Sequence, residues 1–287
     1  MTFNAFARAC ASAPGKTATV VALHCSGSTG HQWLPLRAAL GGRFDVIAPD
    51  LLDSGAALRW AGERPFRVTD EARGVIDIID ATDEPVHLVG HSYGGCVALR
   101  AAVERPDRIA SLALYEPVAF HVLSALGEEG RRLFGEVRAV ALELGQHVMQ
   151  GAYRLAAKLF YEYWNGPGAF SRAKPEVQAH VTRYTIKMCL EFGAIFDEET
   201  PIAIYRRLRI PLLLMTGGAP LRPIKLIGGK LAEVMQARDV RVVPGAGHMG
   251  PISHPDIVAD AIAGHVRACE ARRDAGYAQP QSDFHTA

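Results

Sequence analysis

The chain is short of several things, and each shortage removes a class of protein. Cysteine is scarce: five thiols in 287 residues, at Cys10, Cys25, Cys96, Cys189 and Cys269, are odd in number, scattered and free of any C-x-x-C pair. That pattern argues against a disulfide framework and against a zinc site, and it points to a reducing, cytoplasmic location. Charge of one sign is not in excess either. The 31 Lys+Arg against 30 Asp+Glu leave a formal net charge of +1, which offers no nucleic-acid footprint and no general attraction to a membrane surface. No apolar run approaches membrane-spanning length, and Met1 to Pro14 lacks the continuous apolar stretch of a signal peptide. No internal repeat stands out. A soluble protein with a small-molecule partner is expected, with no nucleic acid and no membrane; oligomeric state is not set by these properties.

What is present is an alternation of short apolar runs with helical periodicity. The runs Ala18–His24, Asp45–Pro49, Val86–Gly90, Ser111–Tyr115, Pro211–Thr216 and Val240–Val243 are bounded by turn residues. The intervals Pro35–Leu40, Val68–Asp80, Gly94–Glu104, Ile224–Gln236 and Pro255–Cys269 carry helix patterns. Fully apolar strands separated by helices predict an α/β fold: a mostly parallel sheet with helices on both faces. Residues 118–209 interrupt the alternation with helix formers such as Glu128–Leu144 and Ala152–Tyr163 and with no strand. They are expected to form a helical cap on a core made of residues 1–117 and 210–287. The aromatics of this stretch are Phe120, Phe134, Phe160, Tyr161, Tyr163, Trp164, Tyr184, Phe192 and Phe196. Most are expected to pack the cap, with about one in three facing a substrate. From Asp274 a polar, patternless tail is expected.

Three segments carry chemistry. In Gly90-His91-Ser92-Tyr93-Gly94 a G-x-S-x-G lies directly between an expected buried strand and a helix. Glycines flank such a serine because the turn is sharp and side chains there would meet the adjoining elements. Ser92 is the candidate nucleophile. The N–H of Tyr93, at the helix start, is aimed where an oxyanion would form. The small-residue loop His24-Cys25-Ser26-Gly27 follows the first strand and offers the N–H of Ser26 as a second oxyanion donor, with His24 and Gly27 shaping the loop. Cys25, lacking a neighbouring base, is read as structural. In Gly245-Ala246-Gly247-His248 a histidine follows the last strand, where it can reach over the carboxyl edge of the sheet to take the Ser92 proton. His91 and His254 are read as structural.

Together with Ala48-Pro49-Asp50-Leu51, these segments resemble the α/β-hydrolase superfamily in order and spacing, from about Ala18 to Cys269. The resemblance implies a capped, mostly parallel sheet. It also implies hydrolysis of an ester, lactone, amide, epoxide or carbon–carbon bond without metal or organic cofactor. Two departures stand out. The N-terminal hairpin of many members is expected to be reduced or absent. The usual acid after the penultimate strand is missing, since Thr216-Gly217-Gly218-Ala219 puts Ala219 in its place. A histidine base still needs a carboxylate to hold its tautomer. Glu116, in Tyr115-Glu116-Pro117 at another strand end, is the candidate; the other reading of it is a brace at the cap junction. Asp239 starts a strand and belongs to the opposite edge. Arg222 and Lys225 are read as solvated surface charges.

The leading expectation is a serine hydrolase acting on a small carboxylic ester or lactone through an acyl-serine. Alternatives are a cofactor-free haloperoxidase or perhydrolase, a carbon–carbon bond hydrolase, and a ligand-binding or signalling protein with weak turnover.

Overall fold

A computed structural model describes residues 18–276 apart from Ala56, Leu58 and Glu63. The expected reduction or loss of the N-terminal hairpin, and the expected tail beyond Gly276, fall outside the described residues. The chain opens with β1 (Ala18–Leu23), a 3-10 turn at Gly30–Trp33 and α1 (Leu34–Leu40), followed by β2 (Phe44–Ile47), α2 (Val68–Asp80), β3 (Val86–His91), α3 (Tyr93–Glu104) and β4 (Ile109–Tyr115). Six helices come next: α4 (His121–Ser124), α5 (Gly127–Met149), α6 (Tyr153–Asn165), α7 (Ala169–Arg172), α8 (Pro175–Phe196) and α9 (Ile202–Tyr205). The alternation then resumes with β5 (Leu212–Gly217), α10 (Arg222–Val234), β6 (Asp239–Val243), α11 (Gly250–Ser253) and α12 (Pro255–Asp274).

The strands form one sheet in the order β2-β1-β3-β4-β5-β6, and every described pairing is parallel. β1, β3 and β4 are buried along their whole length, because helices cover both faces and leave no position for a polar residue facing water. Two apolar layers result. One packs α2, α3 and the inserted helices against one face, with Leu88, Leu112 and Leu99 at its centre. The other packs α1 and α12 against the opposite face through Val20, Val89, Leu36 and Ile262. All strands run the same way, so every strand-to-helix loop opens at one rim, where β3 and its neighbours β1 and β4 deliver three of them side by side.

Asp239 begins β6 and lies at the far rim. Helix α8 had no clear signal in the sequence. Its buried face includes Thr185, Lys187 and Glu191, so no clean apolar stripe marks it. Among the described residues no helix is long and apolar enough to cross a membrane.

Candidate active site

The turn from β3 to α3 is as sharp as its glycines demand. A Cβ at Gly90 would sit 2.5 Å from the Gly94 carbonyl oxygen, and one at Gly94 would sit 2.5 Å from those of Leu23 and His24. Between them Ser92 is held at φ 54 and ψ −116, a conformation that costs on the order of 1–3 kcal/mol for a residue with a side chain. The strain lifts the hydroxyl clear of the sheet. Tyr93 and Gly94 begin α3, whose first N–H groups have no carbonyl one turn back to bond.

His248 lies five residues past β6. Its Nε2 is 2.9 Å from Ser92 Oγ and its Nδ1 is 2.8 Å from Glu116 Oε2. All three residues are buried. Glu116, just past β4, has a left-handed φ of 42, uncommon for a residue with a Cβ, and its carboxylate lies between the end of β5 and the imidazole. Its second oxygen, Oε1, accepts from the Gly217 N–H at 2.8 Å and the Thr216 hydroxyl at 2.9 Å. Burial pushes the Glu116 pKa up, but the His248 hydrogen bond and charge, with those two donors, outweigh it and hold the carboxyl below its ordinary range. The last two residues of β5 therefore contribute a hydroxyl and an N–H to the carboxylate, just before Ala219, where a side-chain acid would otherwise be expected. The strand ends in glycine where it presses on the histidine loop: a Cβ at Gly217 would meet the Ala246 carbonyl oxygen at 2.4 Å.

A neutral histidine anchors the loop that carries His248. His91 Nε2 donates to the His248 carbonyl at 2.8 Å, while its Nδ1 lies 3.1 Å from Gln32 Nε2, which donates to it. Accepting on Nδ1 requires the neutral ring, and burial above all, with repulsion from His248, lowers the His91 pKa well below its usual value. The Tyr115 hydroxyl donates to the Gly247 carbonyl at 2.7 Å.

The loop after β1 is held in a similar way. His24 donates from Nδ1 to the Cys25 carbonyl at 2.8 Å and accepts the Leu51 N–H on Nε2 at 3.0 Å. Burial drives its pKa down to about 4. Helix α8 grips the same loop from above. His180 Nε2 donates to the Gly27 carbonyl at 2.6 Å, and the buried Glu191 takes hydrogen bonds from the Ser26 and Tyr184 hydroxyls. Burial raises the Glu191 pKa to about 7 against the pull of Lys187, which itself donates to Glu71 at 2.8 Å. Among the described residues, neither the Ser26 nor the Tyr93 N–H has a backbone acceptor.

Ser92, His248, Ser26 and Gly27 open on a cavity of about 430 Å³ whose remaining walls are largely apolar, with Val118, Phe120, Phe160, Met188, Phe192 and Ile195 among them. Five of the nine aromatics singled out in the sequence line it, namely Phe120, Phe160, Tyr161, Trp164 and Phe192, more than the one in three expected. The inserted helices meet over the site, so their aromatic faces point inward. Trp164 stacks on His248, with ring centroids 3.8 Å apart and planes at 17°; nothing in the sequence pointed to that contact. The grip of His180 and Glu191 on the loop of Ser26 was equally hidden. Cys25 is buried and its thiol is pushed up to about 12, first by burial, so it stays protonated. Arg222 is an exposed charge paired with Glu129.

A parallel sheet of this order, with a strained serine after its third strand and a histidine loop after its last, defines the class to which the molecule belongs. The sequence matches the Alpha/beta hydrolase family over residues 20–261, and the chain belongs to that family. Among curated relatives it is 32% identical over 154 residues to a putative carbamate hydrolase of Variovorax paradoxus, an alignment covering 50% of this chain and 58% of that protein. It is 35% identical over 105 residues to a lipase of Mycobacterium tuberculosis, covering 36% of this chain and 39% of the lipase. The matches thus span about half of those relatives' length. An alpha/beta hydrolase enzyme from a Medee basin deep-sea metagenome library shares the fold at a TM-score of 0.70 and 14% identity, covering 94% of this chain and 92% of the other.

Proposed function

We propose that this chain is a serine hydrolase that cleaves a small ester-like substrate, a carboxylic ester or lactone, through an acyl-serine. The observation that carries the reading is the unbroken chain from Glu116 through His248 to Ser92, ending at a largely apolar cavity. Ser92 Oγ attacks the carbonyl carbon as His248 Nε2 removes its proton; Glu116, on Nδ1, fixes the tautomer and stabilises the imidazolium. The negative charge on the carbonyl oxygen is met by the N–H groups of Ser26 and Tyr93. Collapse breaks the bond to the leaving group, which receives the proton from His248. Water, deprotonated by the same imidazole, then attacks the acyl-serine, and Ser92 regains its proton as the acid departs. The apolar walls favour an aliphatic or aromatic group on the substrate. We read residues 118–209 as a cap whose helices set that preference.

A fluorophosphonate probe tests the reading. Ser92 is expected to react at rates ordinary for serine hydrolases and Ser92→Ala not at all. No labelling of the folded wild-type protein would return the chain to the ligand-binding reading. Faster halide oxidation with peroxide than ester hydrolysis would favour the haloperoxidase alternative.

A further inference from the structure

The general base of this site touches a residue that the α/β core does not supply. Trp164 belongs to the last turn of α6, and its indole lies flat on the His248 imidazole at 3.8 Å between centroids. It is held there by edge-to-face contacts with Tyr163, at 4.9 Å and 83°, and with Phe160, at 6.5 Å and 67°. Helix α6 stops immediately afterwards, where Gly166 takes a φ of 85. The indole therefore covers the face of the imidazole from the end of a helix.

We propose that Trp164 is a positioning residue: its π-face stabilises the imidazolium form of His248 and fixes the ring plane, so that the inserted helices take part in the proton transfer. This rests on the serine-hydrolase reading above. The face of an indole attracts a cation far more than a neutral ring. His248 is neutral before attack and positively charged at the transition state, so the stack strengthens as the reaction proceeds and lowers the barrier, which uniform binding would not do. The other titratable groups near His248 are already placed. Glu116 holds Nδ1 from the end of β4. His91, 5.4 Å away on β3, is kept neutral chiefly by burial and accepts from Gln32 on Nδ1. Glu191 and His180 of α8 lie along the same cavity. None of them covers the imidazole face that Trp164 covers.

The test is the pH profile of kcat/KM for a p-nitrophenyl ester in wild type, Trp164→Phe and Trp164→Leu. Removing the indole withdraws an attraction that the cationic ring has and the neutral ring lacks. The acid limb in Trp164→Leu is therefore expected to move to lower pH by about half a unit to one unit, while the plateau of kcat falls about 3- to 10-fold. Trp164→Phe, which keeps a weaker π-face, should lie between. A purely structural role would lower activity without moving the limb, and an unmoved limb in the folded Leu or Phe variant overturns the proposal. A second readout needs no turnover. In Ser92→Ala, the emission of Trp164 should be quenched as His248 gains its proton, with that step lost in Ser92→Ala/His248→Gln. A protein that neither reacts with the fluorophosphonate nor hydrolyses any ester, yet keeps this step, would refute the hydrolase reading and leave the stack intact. Absence of the step would refute the stack.

Discussion

Among the described residues two Ser–His–Glu clusters can be compared, and the one at Ser92 faces the largely apolar cavity. The first joins Ser92, His248 and Glu116 at the carboxyl rim of the sheet. In the second, His87 Nδ1 lies 2.8 Å from Ser111 Oγ and His87 Nε2 lies 3.1 Å from Glu270 Oε1. Residue types and distances nearly repeat, but the surroundings do not. His87 and Ser111 are register partners on the adjacent strands β3 and β4, and both are buried. Ser111 shows no left-handed φ, whereas Ser92 does. Glu270 is also bound by Arg273 at 2.7 Å, so its charge is already partnered. None of the three lines the cavity above Ser92. A serine, a histidine and a carboxylate in contact are thus not a reaction centre. What distinguishes the upper cluster is a strained turn that lifts the hydroxyl out of the sheet, free N–H groups beside it, and space for a substrate.

The comparison can be broken most decisively at the serines. Ser92→Ala should reduce ester turnover by at least about 10⁴-fold with little effect on stability. Ser111→Ala should leave turnover within about twofold but cost about 1 kcal/mol in a denaturant titration, since it removes a buried hydrogen bond. Equal kinetic losses in the two variants would erase the distinction. At the carboxylates, Glu116→Gln is expected to lower kcat by about 10³- to 10⁴-fold, because the amide cannot stabilise the imidazolium. Adding Ala219→Asp should recover part of the loss. Unchanged turnover in Glu116→Gln would reduce Glu116 to a brace at the helix junction.

At the second histidine, His87→Leu leaves Glu270 with Arg273 and takes the imidazole from the Ser111 hydroxyl, which keeps Cys269 as a partner. A loss of about 1–3 kcal/mol is expected, with kcat per folded molecule unchanged. A fall in kcat would mean that the lower cluster shapes the site. The smallest effect concerns pH. His24, held to about 4, and His265, also about 4, both chiefly by burial, stay neutral in the fold where an unfolded chain would take up protons near 6.5. The stability they lend is therefore full above about pH 6.5 and declines as pH falls toward 4. Glu116 and Glu270 have carboxyls held below their ordinary range; their contribution is full above the unfolded carboxylate value and is lost only at lower pH, through the folded values. Denaturation midpoints measured at pH 7.5, 5.5 and 3.5 should fall in two stages. Glu191, raised to about 7, acts with the opposite sign, so a midpoint constant from 7.5 to 5.5 in Glu191→Gln would show that these histidines are charged in the fold.

Much of this was legible before any coordinates. Six strands, the helices between them, the elbow at Ser92 and the loops of Ser26 and His248 follow from apolar runs, periodicity and glycine placement, all local patterns. The search for a carboxylate at another strand end led to Glu116, and the structure puts it 2.8 Å from the imidazole. What was not legible came from residues whose neighbours lie far along the chain. Helix α8 carries a charged residue and a carboxyl on its buried face, so its pattern gave no signal until Lys187 met Glu71 and Glu191 met Ser26.

The order of residues by itself determined an alternation of strands and helices and three rim loops of the right chemistry, because each depends on a few neighbouring residues and on backbone sterics. Only the tertiary structure decided which carboxylate meets which imidazole, that Trp164 lies on His248, and that Ser111 and His87 are sealed away. Those outcomes are set by packing between segments tens to hundreds of residues apart, where a distance of a few ångströms separates a site from a piece of core.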